Sequence, residues 1–458
     1  MSSDVDERAH LSRGTVVAYG SMGFPLAVLG YPLALFLHPY YADELGLGLA
    51  AISTVLLLTR LTDFFTDPLM GWISDRTSTR FGRRIPYLVM GLPIIMLGIW
   101  KLFMPEPPVT IWYMFFWNAV MYLGWTILVM PYTALGAEIT VQYMDRARIN
   151  ASRQVFVIVG LIGASALIWF SQQVLGMTAP GEVLQGLGTT LLILFPLVVL
   201  LVVLFVKEPP TSGVVSHQAV HQPLLRSVSS MLRIGPYRRL IYVATAVIIG
   251  EASRHAVLVF FMQDVMQAEG RIGFVYTAYY GCGVLAIPLW QWLSKRYGKH
   301  RALAVAMTSS AFWTFLTGFC GPDSFNLFLV FFVLKGLSFG AFAYLPLAMV
   351  ADVVDVDQAV TRQKRAGMFY ALHGAVDKVG LAVGLFLALQ LLNLSGYNPQ
   401  LDPTTSGILM LRLEYAVLPS LFFLLASVLV WRYPLTQERH EKLLQRLAAR
   451  ENRVPTTP

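Results

Sequence analysis

Long apolar segments alternate with short polar ones along nearly the whole chain. Each apolar segment approaches or exceeds the roughly 20 residues that an α-helix needs to cross a bilayer. The predicted spans are 15–37, 49–74, 86–104, 109–135, 151–172, 186–206, 238–262, 271–294, 301–320, 325–350, 369–392 and 410–432. The pattern therefore predicts an all-α integral membrane protein with about twelve transmembrane helices.

The overall composition agrees with this pattern. Of 458 residues, 56% are hydrophobic and 13% are charged, and the mean hydropathy is +0.60. A soluble domain carries about 25% charged residues. The first dozen residues are polar and of mixed charge and do not resemble a cleavable signal peptide. We therefore expect the first span to act as the insertion signal.

The net charge of +8 is distributed unevenly along the chain. Lys and Arg concentrate in the tail and in the loops after even-numbered spans, whereas the opposite loops hold almost none. Because Lys and Arg are retained on the cytoplasmic side of a membrane, we expect both termini to be cytoplasmic, in an inner or plasma membrane. The basic charge is then a signal of topology, and we expect no nucleic-acid partner.

The longest polar interruption is rich in Pro, Ser and Gly and divides the spans six and six. It predicts an N-terminal bundle (1–206), a cytoplasmic linker (207–237), a C-terminal bundle (238–432) and a cytoplasmic tail (433–458). The halves resemble each other, since GWISDRTSTRFGRR after span 2 has a counterpart in PLWQWLSKRYGKHR after span 8. Such parallel repeats are typical of a transporter architecture that binds substrate near the midplane, between the halves.

Two acids lie in the middle of predicted span 2. Asp63 and Asp67 are four residues apart and therefore share one helix face. A charge at that depth costs at least about 2.5–3.5 kcal/mol and usually marks an ion or proton path. One interpretation is a site for Na⁺, a hard cation that prefers oxygen ligands, or for a proton. The alternative is a salt bridge from Arg60 to Asp63 with Asp67 exposed to solvent.

Other ionisable residues lie inside spans 7, 10 and 11. Lys378 is a candidate countercharge for the span 2 acids, although its side chain could instead extend to the cytoplasmic interface. In span 7, Glu251 can pair with Arg254 and His255 within one helix, or Arg254 can meet an anionic group of a substrate. For Lys335 we expect only packing or extension to the interface.

Charged residues at the cytoplasmic ends of spans predict a gate. Asp75 ends span 2, and Arg83 and Arg84 follow in the next loop. Acids also end spans 4 and 10, at Glu138 and Asp352, before basic loops. These side chains can form charge networks that hold the cytoplasmic side closed, in addition to signalling topology.

Three stretches resemble a known family: TRLTDFFTDPLMGWISDRTSTRFGRRIPY, VMPYTALGAEITVQYMDRARINASR and MVADVVDVDQAVTRQKRAGMFYALHGAVDKVG. They look like the glycoside–pentoside–hexuronide:cation symporter family. This branch of the major facilitator superfamily includes melibiose permease and the sodium-dependent lysophosphatidylcholine symporters. The resemblance implies the major facilitator fold, with two pseudo-symmetric six-helix bundles.

The resemblance also implies roles for individual residues. Asp63 and Asp67 match the cation-site acids of the family, Lys378 its lysine in span 11 and Arg153 its arginine at the start of span 5. The sugar-binding acids of melibiose permease are absent, because span 1 has no aspartate and Val129 stands at the position of the span 4 aspartate. The lysolipid branch also lacks those acids.

Together these features predict a secondary active symporter that works by alternating access and is coupled to Na⁺ or H⁺. An amphiphile resembling a lysophospholipid is the substrate that we favour, because an apolar cavity with the cations Arg153, Arg254 and Lys378 would suit an anionic headgroup. A glycoside symporter of the melibiose type and an uncoupled lipid flippase are the alternatives. We find no catalytic motif, and we expect a monomer with no cofactor other than the coupling ion.

Overall fold

The computed structural model describes residues 11–77, 79, 82–140, 143–208, 224–361 and 366–435. Contacts divide the chain into two units. Unit 1 holds the described residues of Met1–Ser216 together with Gly270–Phe274, and unit 2 holds those of His217–Glu269 and Val275–Pro458. No β-strand occurs in these ranges, which confirms the all-α prediction.

Unit 1 is built from long apolar helices joined by short turns. Its helices are α1 (Arg13–Ser21), α2 (Gly23–Leu35), α3 (Leu37–Pro39), α4 (Leu49–Arg76), α5 (Ile85–Phe103), α6 (Ile111–Glu138), α7 (Tyr143–Gln173) and α8 (Pro180–Phe205). A single π-helical turn, Tyr40–Glu44, follows α3.

Unit 2 contains more interruptions. Its helices are α9 (Leu224–Leu232), α10 (Gly235–Phe260), most of α11 (Ile272–Leu285), α12 (Ile287–Tyr297), α13 (Lys299–Thr317), α14 (Phe325–Leu337), α15 (Phe339–Phe342), α16 (Leu345–Thr361), α17 (Ala366–Leu394), α18 (Thr405–Arg412) and α19 (Leu418–Trp431). π-helical turns follow α10, at Phe261–Val265, and α18, at Leu413–Val417.

Each of the twelve predicted spans coincides with a helix or an interrupted helix. Within the described ranges, ten helices are long and apolar enough to cross a membrane, and the bent pair Glu269–Leu285 and Ile287–Tyr297 makes up to eleven. The remaining predicted span, 301–320, corresponds to α13. Its first turn is basic (Lys299, His300 and Arg301) and it carries several Ser and Thr, so it is less apolar than the others.

Close packing in unit 1 depends on small residues where helices α5 and α6 meet. A Cβ added to Gly98 would lie 2.6 Å from Cα of Met121, and one added to Gly124 would lie 2.5 Å from the backbone N of Ile95. Small residues let helix backbones approach in a membrane, where lipid provides no hydrophobic force between helices. This contact sets the position of α6, whose other face meets α4.

Candidate functional site

Polar side chains form a stripe along α4 that faces a matching stripe on α6. On each helix the residues are spaced four apart, which places them on one face. We call these six residues the polar ladder: Thr59, Asp63 and Asp67 on α4, and Asn118, Tyr122 and Thr126 on α6. The ladder has hydrogen bonds at both ends, from Asn118 Nδ2 to Thr59 Oγ1 (2.6 Å) and from Thr126 Oγ1 to Asp67 Oδ1 (2.9 Å).

The middle of the ladder is charged. Asp63 is 3% exposed, and its Oδ2 lies 3.5 Å from Nη1 of Arg60. The Arg60 guanidinium also lies over the Tyr122 ring, 4.2 Å from its centroid. The salt bridge considered in the sequence analysis is therefore present, and Asp67 is half-buried. Counted over these three side chains alone, two carboxylates and one guanidinium sum to one negative charge.

The oxygen atoms of the ladder are suitable ligands for a hard cation. Carboxylates, hydroxyls and an amide supply oxygen ligands, the type that such ions prefer. Oδ1 of Asn118 is buried and accepts no hydrogen bond within the described residues. A buried carbonyl oxygen without a donor is costly unless something else satisfies it. A cation between Asp63, Asp67 and Asn118 would do so.

The sequence analysis identified only the two acids of the ladder. Thr59, Asn118 and Thr126 are neutral, and neutral polar residues are common in membrane helices. The available signal was the spacing of Asn118, Tyr122 and Thr126 in an otherwise apolar span, because it repeats the spacing of Thr59, Asp63 and Asp67.

Arg153 lies on α7, beside a pair of tyrosines in unit 1. The rings of Tyr19 and Tyr132 stack with centroids 4.5 Å apart. Each hydroxyl donates to the backbone carbonyl of the other residue, at 3.3 and 2.9 Å. The Arg153 guanidinium lies 5.9 Å from the Tyr132 ring centroid and is half-buried. The tyrosine pair thus provides an aromatic contact for the guanidinium of Arg153 on α7.

In unit 2, charged residues of α10 and α14 form a compact cluster. We call Glu251, Arg254, His255 and Lys335 the charge cluster. Arg254 donates to Glu251 Oε2 from Nε (3.1 Å) and Nη2 (2.8 Å), and Lys335 Nζ donates to Glu251 Oε1 (2.6 Å). One carboxylate beside two cations leaves one net positive charge if His255 is neutral.

For Lys335 we expected either packing between helices or extension to the interface, and the structure shows the packed alternative. Its side chain is 1% exposed and bound to Glu251, on a helix 84 residues away in sequence. Nζ also lies 5.2 Å from the Tyr279 ring centroid. A lysine can be buried in this way because the carboxylate and the aromatic ring replace its hydration.

Arg254 is equally buried, at 1% exposed. Its guanidinium lies 5.4 Å from the Phe332 ring and 5.8 Å from the Tyr415 ring. The sequence analysis left two alternatives for Arg254: pairing with Glu251 within the helix, or contact with an anionic group of a substrate. The structure contains the pair within the helix. Nη1 of Arg254 nevertheless makes no hydrogen bond within the described residues. The charge cluster keeps one donor available for an anion.

Lys378 lies on α17 in unit 2 and is half-buried. Asp63 and Asp67 belong to unit 1. The role of Lys378 as their countercharge stays a prediction.

The predicted cytoplasmic gate includes a charge network in unit 1. Arg84 is 2% exposed and donates to Glu138 Oε1 (2.6 Å) and Oε2 (3.3 Å) and to Ser74 Oγ (2.6 Å). Arg84 and Glu138, both predicted gate residues, are therefore paired. The side chain of Asp75 lies outside the described part of the structure.

Glu208 is a member of this network that the sequence analysis missed. Its carboxylate accepts from the backbone N–H groups of Arg83 (2.5 Å), Arg84 (2.7 Å) and Ile85 (2.6 Å), at the N-terminus of α5. A helix N-terminus attracts a carboxylate because its first N–H groups lack partners in the helix. Gly82 has φ +105°, and an added Cβ would lie 2.5 Å from Glu208 Cδ, so the site requires glycine there.

Unit 2 has a corresponding but simpler pair. Lys299 Nζ donates to both carboxylate oxygens of Asp352, at 2.7 and 2.8 Å. Lys299 follows Gly298, which has φ +90° and occupies the place of Gly82 in the repeat. Asp352, the last predicted gate residue, thus pairs as Glu138 does in unit 1.

The long apolar helices, with charged side chains buried in both units, define a polytopic membrane transporter. A family model described as MFS/sugar transport protein matches residues 18–437, and the chain belongs to this family. The glucuronide carrier protein homolog of Escherichia coli is 27% identical, over 95% of each chain. The sodium-dependent lysophosphatidylcholine symporter 1-B of Danio rerio is 24% identical, over 95% of this chain and 90% of that one.

A solved structure supports the same fold. A bacterial homologue of the human lysosomal transporter Spinster superposes with a TM-score of 0.66 over 93% of this chain and 98% of that one, at 13% identity. The predicted fold class and family are confirmed, and the relatives and the fold are those of transporters and not of enzymes.

Proposed function

We propose that this transporter is a symporter that couples substrate movement to a cation, Na⁺, bound at Asp63 and Asp67. One observation carries the proposal: the polar ladder holds two carboxylates, one guanidinium and the buried Oδ1 of Asn118, which accepts no hydrogen bond within the described residues. A bound cation would contact the two carboxylates and satisfy that oxygen. The relative named as a sodium-dependent symporter supports this choice of ion.

For the substrate we propose an amphiphile with an anionic headgroup, resembling a lysophospholipid. The net positive charge of the charge cluster and the half-buried guanidinium of Arg153 favour an anion. Aromatic rings around Arg254 and Lys335 provide an apolar surrounding for the part of an amphiphile next to its headgroup. The relative named for lysophosphatidylcholine is consistent with this class.

A glycoside is the second candidate, and the relative named as a glucuronide carrier homolog favours it. A glucuronide also carries a carboxylate, so the same positive charge would attract it. In either case we propose alternating access by a monomer whose termini are both cytoplasmic, as the basic loops indicate.

The test is uptake into proteoliposomes under an inward Na⁺ gradient or a matched K⁺ gradient, with the membrane potential clamped. Radiolabelled lysophosphatidylcholine, lysophosphatidic acid and a methyl glucuronide are compared. We expect the Na⁺ gradient to raise the initial rate for a lysophospholipid by at least about tenfold, which corresponds to about 1.4 kcal/mol.

Asp63→Asn should abolish this stimulation, whereas Glu106→Gln, at a side chain that is 84% exposed, should not change it. Lysophospholipid uptake that ignores the gradient and survives Asp63→Asn would indicate a flippase. Uptake of the glucuronide alone would replace the amphiphile with a sugar.

A further inference from the structure

One further acid, Glu414, lies inside a membrane-spanning segment of unit 2, away from the gate pairs. Glu414 is on the π-helical turn Leu413–Val417, within the candidate span Thr405–Trp431. It is 1% exposed, and neither carboxylate oxygen has a hydrogen-bond partner within the described residues. No Lys, Arg or His of those residues forms an ion pair with it. Glu414 therefore needs an explanation that the proposed function does not supply.

The other π-helical turns provide an internal comparison, because each also carries acids. In the turn Tyr40–Glu44, Glu44 accepts a hydrogen bond from the backbone N–H of Gly181 (2.6 Å), and burial raises the pKa of this carboxyl. In the turn Phe261–Val265, Asp264 accepts from the hydroxyl of Tyr397. Glu414 differs from Glu44 and Asp264, because neither of its carboxylate oxygens has a hydrogen-bond donor within the described residues.

Basic residues lie on α18 and α10, the helices that contact the turn of Glu414. Their side chains bind groups other than Glu414. Arg412, on α18, donates Nη1 to the carbonyls of Gly318 (2.5 Å) and Cys320 (2.8 Å). Arg254, on α10, is bound to Glu251 and lies over the ring of Tyr415. His255, beside it, faces Glu251 and Arg254.

The remaining elements around the turn supply no countercharge. Helix α13 has its basic residues, Lys299, His300 and Arg301, in its first turn, and its sequence from 302 to 317 holds no charged residue. Helix α19, from 418 to 431, holds none either. Lys335, on α14, is bound to Glu251. Asp264, an acid of the π-helical turn Phe261–Val265, is bound to Tyr397.

An ionised carboxylate in such surroundings is strongly unfavourable, since it has lost water and gained neither a cation nor a donor among the described residues. The neutral acid avoids most of this cost, so the stable form of the buried side chain carries a proton. Acids held within membrane segments commonly belong to proton relays, and single π-helical turns are frequent at functional sites. A π turn contains one residue more than an α turn, so its conversion would rotate Glu414 about the helix.

We infer that Glu414 is a proton-binding site of unit 2 that takes up and releases a proton during the transport cycle. On uptake, an O–H bond forms between a carboxylate oxygen and a proton from water on one side of the membrane. On release that bond breaks and the proton returns to water on the other side. The site is distinct from the cation site at Asp63 and Asp67, and the inference adds a proton to the proposed cycle.

The first test asks whether Glu414 carries an exchangeable proton, and it requires no knowledge of the substrate. Dicyclohexylcarbodiimide, an apolar reagent, reacts with a protonated carboxyl: the proton moves to a nitrogen, the oxygen adds to the central carbon, and a stable N-acylurea forms by rearrangement. We expect one adduct on the peptide that contains Glu414, in the purified full-length chain at neutral pH. Above the titration midpoint of Glu414, the rate should fall about tenfold per pH unit.

Matched controls separate this site from others. Glu414→Gln, which has the shape of the neutral acid and should fold, must lose the adduct, and exposed Glu106 should not react. Na⁺ should not change the labelling of Glu414. If Glu414 forms no adduct, or if its labelling does not change with pH, the inference is wrong.

The second test measures protons in proteoliposomes that contain a pH-sensitive dye. We expect Glu414→Gln to reduce substrate-linked proton movement by at least about tenfold while Na⁺-stimulated uptake persists. We expect Asp63→Asn to abolish the stimulation by Na⁺ while substrate-linked proton movement persists. A labelled Glu414 with no proton movement during active uptake would contradict the inference. Proton-linked uptake without any Na⁺ effect would instead contradict the proposed cation coupling and leave the inference standing.

Discussion

The polar ladder of unit 1 and the charge cluster of unit 2 both place charged side chains in apolar surroundings, but they differ in their proportions of acidic and basic groups. Both bury ionised side chains inside long apolar helices. The ladder combines two carboxylates with one guanidinium, and the cluster combines one carboxylate with two cations. Counted over these side chains alone, the ladder is acidic and the cluster is basic.

The difference indicates which part of each unit can receive an ion. Coulomb interactions are stronger in an apolar surrounding than in water, so an unbalanced charge there attracts an ion of opposite sign. Within the described residues, the ladder contains a buried acceptor without a donor, Asn118 Oδ1, whereas the cluster contains a buried donor without an acceptor, Arg254 Nη1. The two units thus differ in the sign of the ion that each would bind.

The largest expected effect comes from removing the only carboxylate of the charge cluster. Glu251→Gln leaves Arg254 and Lys335 buried as like charges, and breaking a buried ion pair costs about 3–5 kcal/mol. We expect this loss in the free energy of unfolding, measured by denaturant titration in detergent. Adding Lys335→Met should recover most of it. A Glu251→Gln protein as stable as the parent would show that the cluster does not depend on its carboxylate.

An intermediate effect is expected at the edge of the polar ladder. Thr126→Val removes the hydroxyl that donates to Asp67 and keeps the side-chain shape. Losing one hydrogen bond costs about 1 kcal/mol, which corresponds to about fivefold weaker binding. The Na⁺ concentration for half-maximal uptake should rise accordingly.

Thr133 provides the matched control for this change. It lies on the same helix, but its hydroxyl donates to the carbonyl of Met130 (2.9 Å) and not to the ladder. Thr133→Val should therefore leave the Na⁺ dependence unchanged. Equal effects of both variants would mean that the ladder does not bind the cation through Asp67.

The smallest effect is expected at the pair formed by Lys299 and Asp352 in unit 2. Lys299 is 41% exposed, and exposed ion pairs contribute about 0–1 kcal/mol. Asp352→Asn should therefore lower the free energy of unfolding by less than about 1 kcal/mol. Glu138→Gln, which deprives the buried Arg84 of its carboxylate, should cost more. If the order of the two variants were reversed in the same denaturant titration, burial would not be what distinguishes the pairs.

The candidate sites show which kinds of residue could be predicted from the chain alone. Asp63, Asp67, Glu251 and Arg254 were identified because a charge is conspicuous in an apolar segment. Asn118 and Thr126 were missed because neutral polar residues cost little in such a segment. Glu208 was placed in the linker, because nothing in its sequence neighbourhood indicates the N-terminus of α5.

The positions of the helices followed from the order of apolar and polar residues, because the cost of placing a side chain in lipid is largely a property of that residue. The order of apolar and polar residues did not indicate which side chains would pair with the buried charges. Lys335 and Glu251 are 84 residues apart, and Glu208 is 125 residues from Arg83. A hydrogen bond depends on a distance of about 3 Å between two atoms, and between residues so far apart in sequence only the packing of the helices sets that distance.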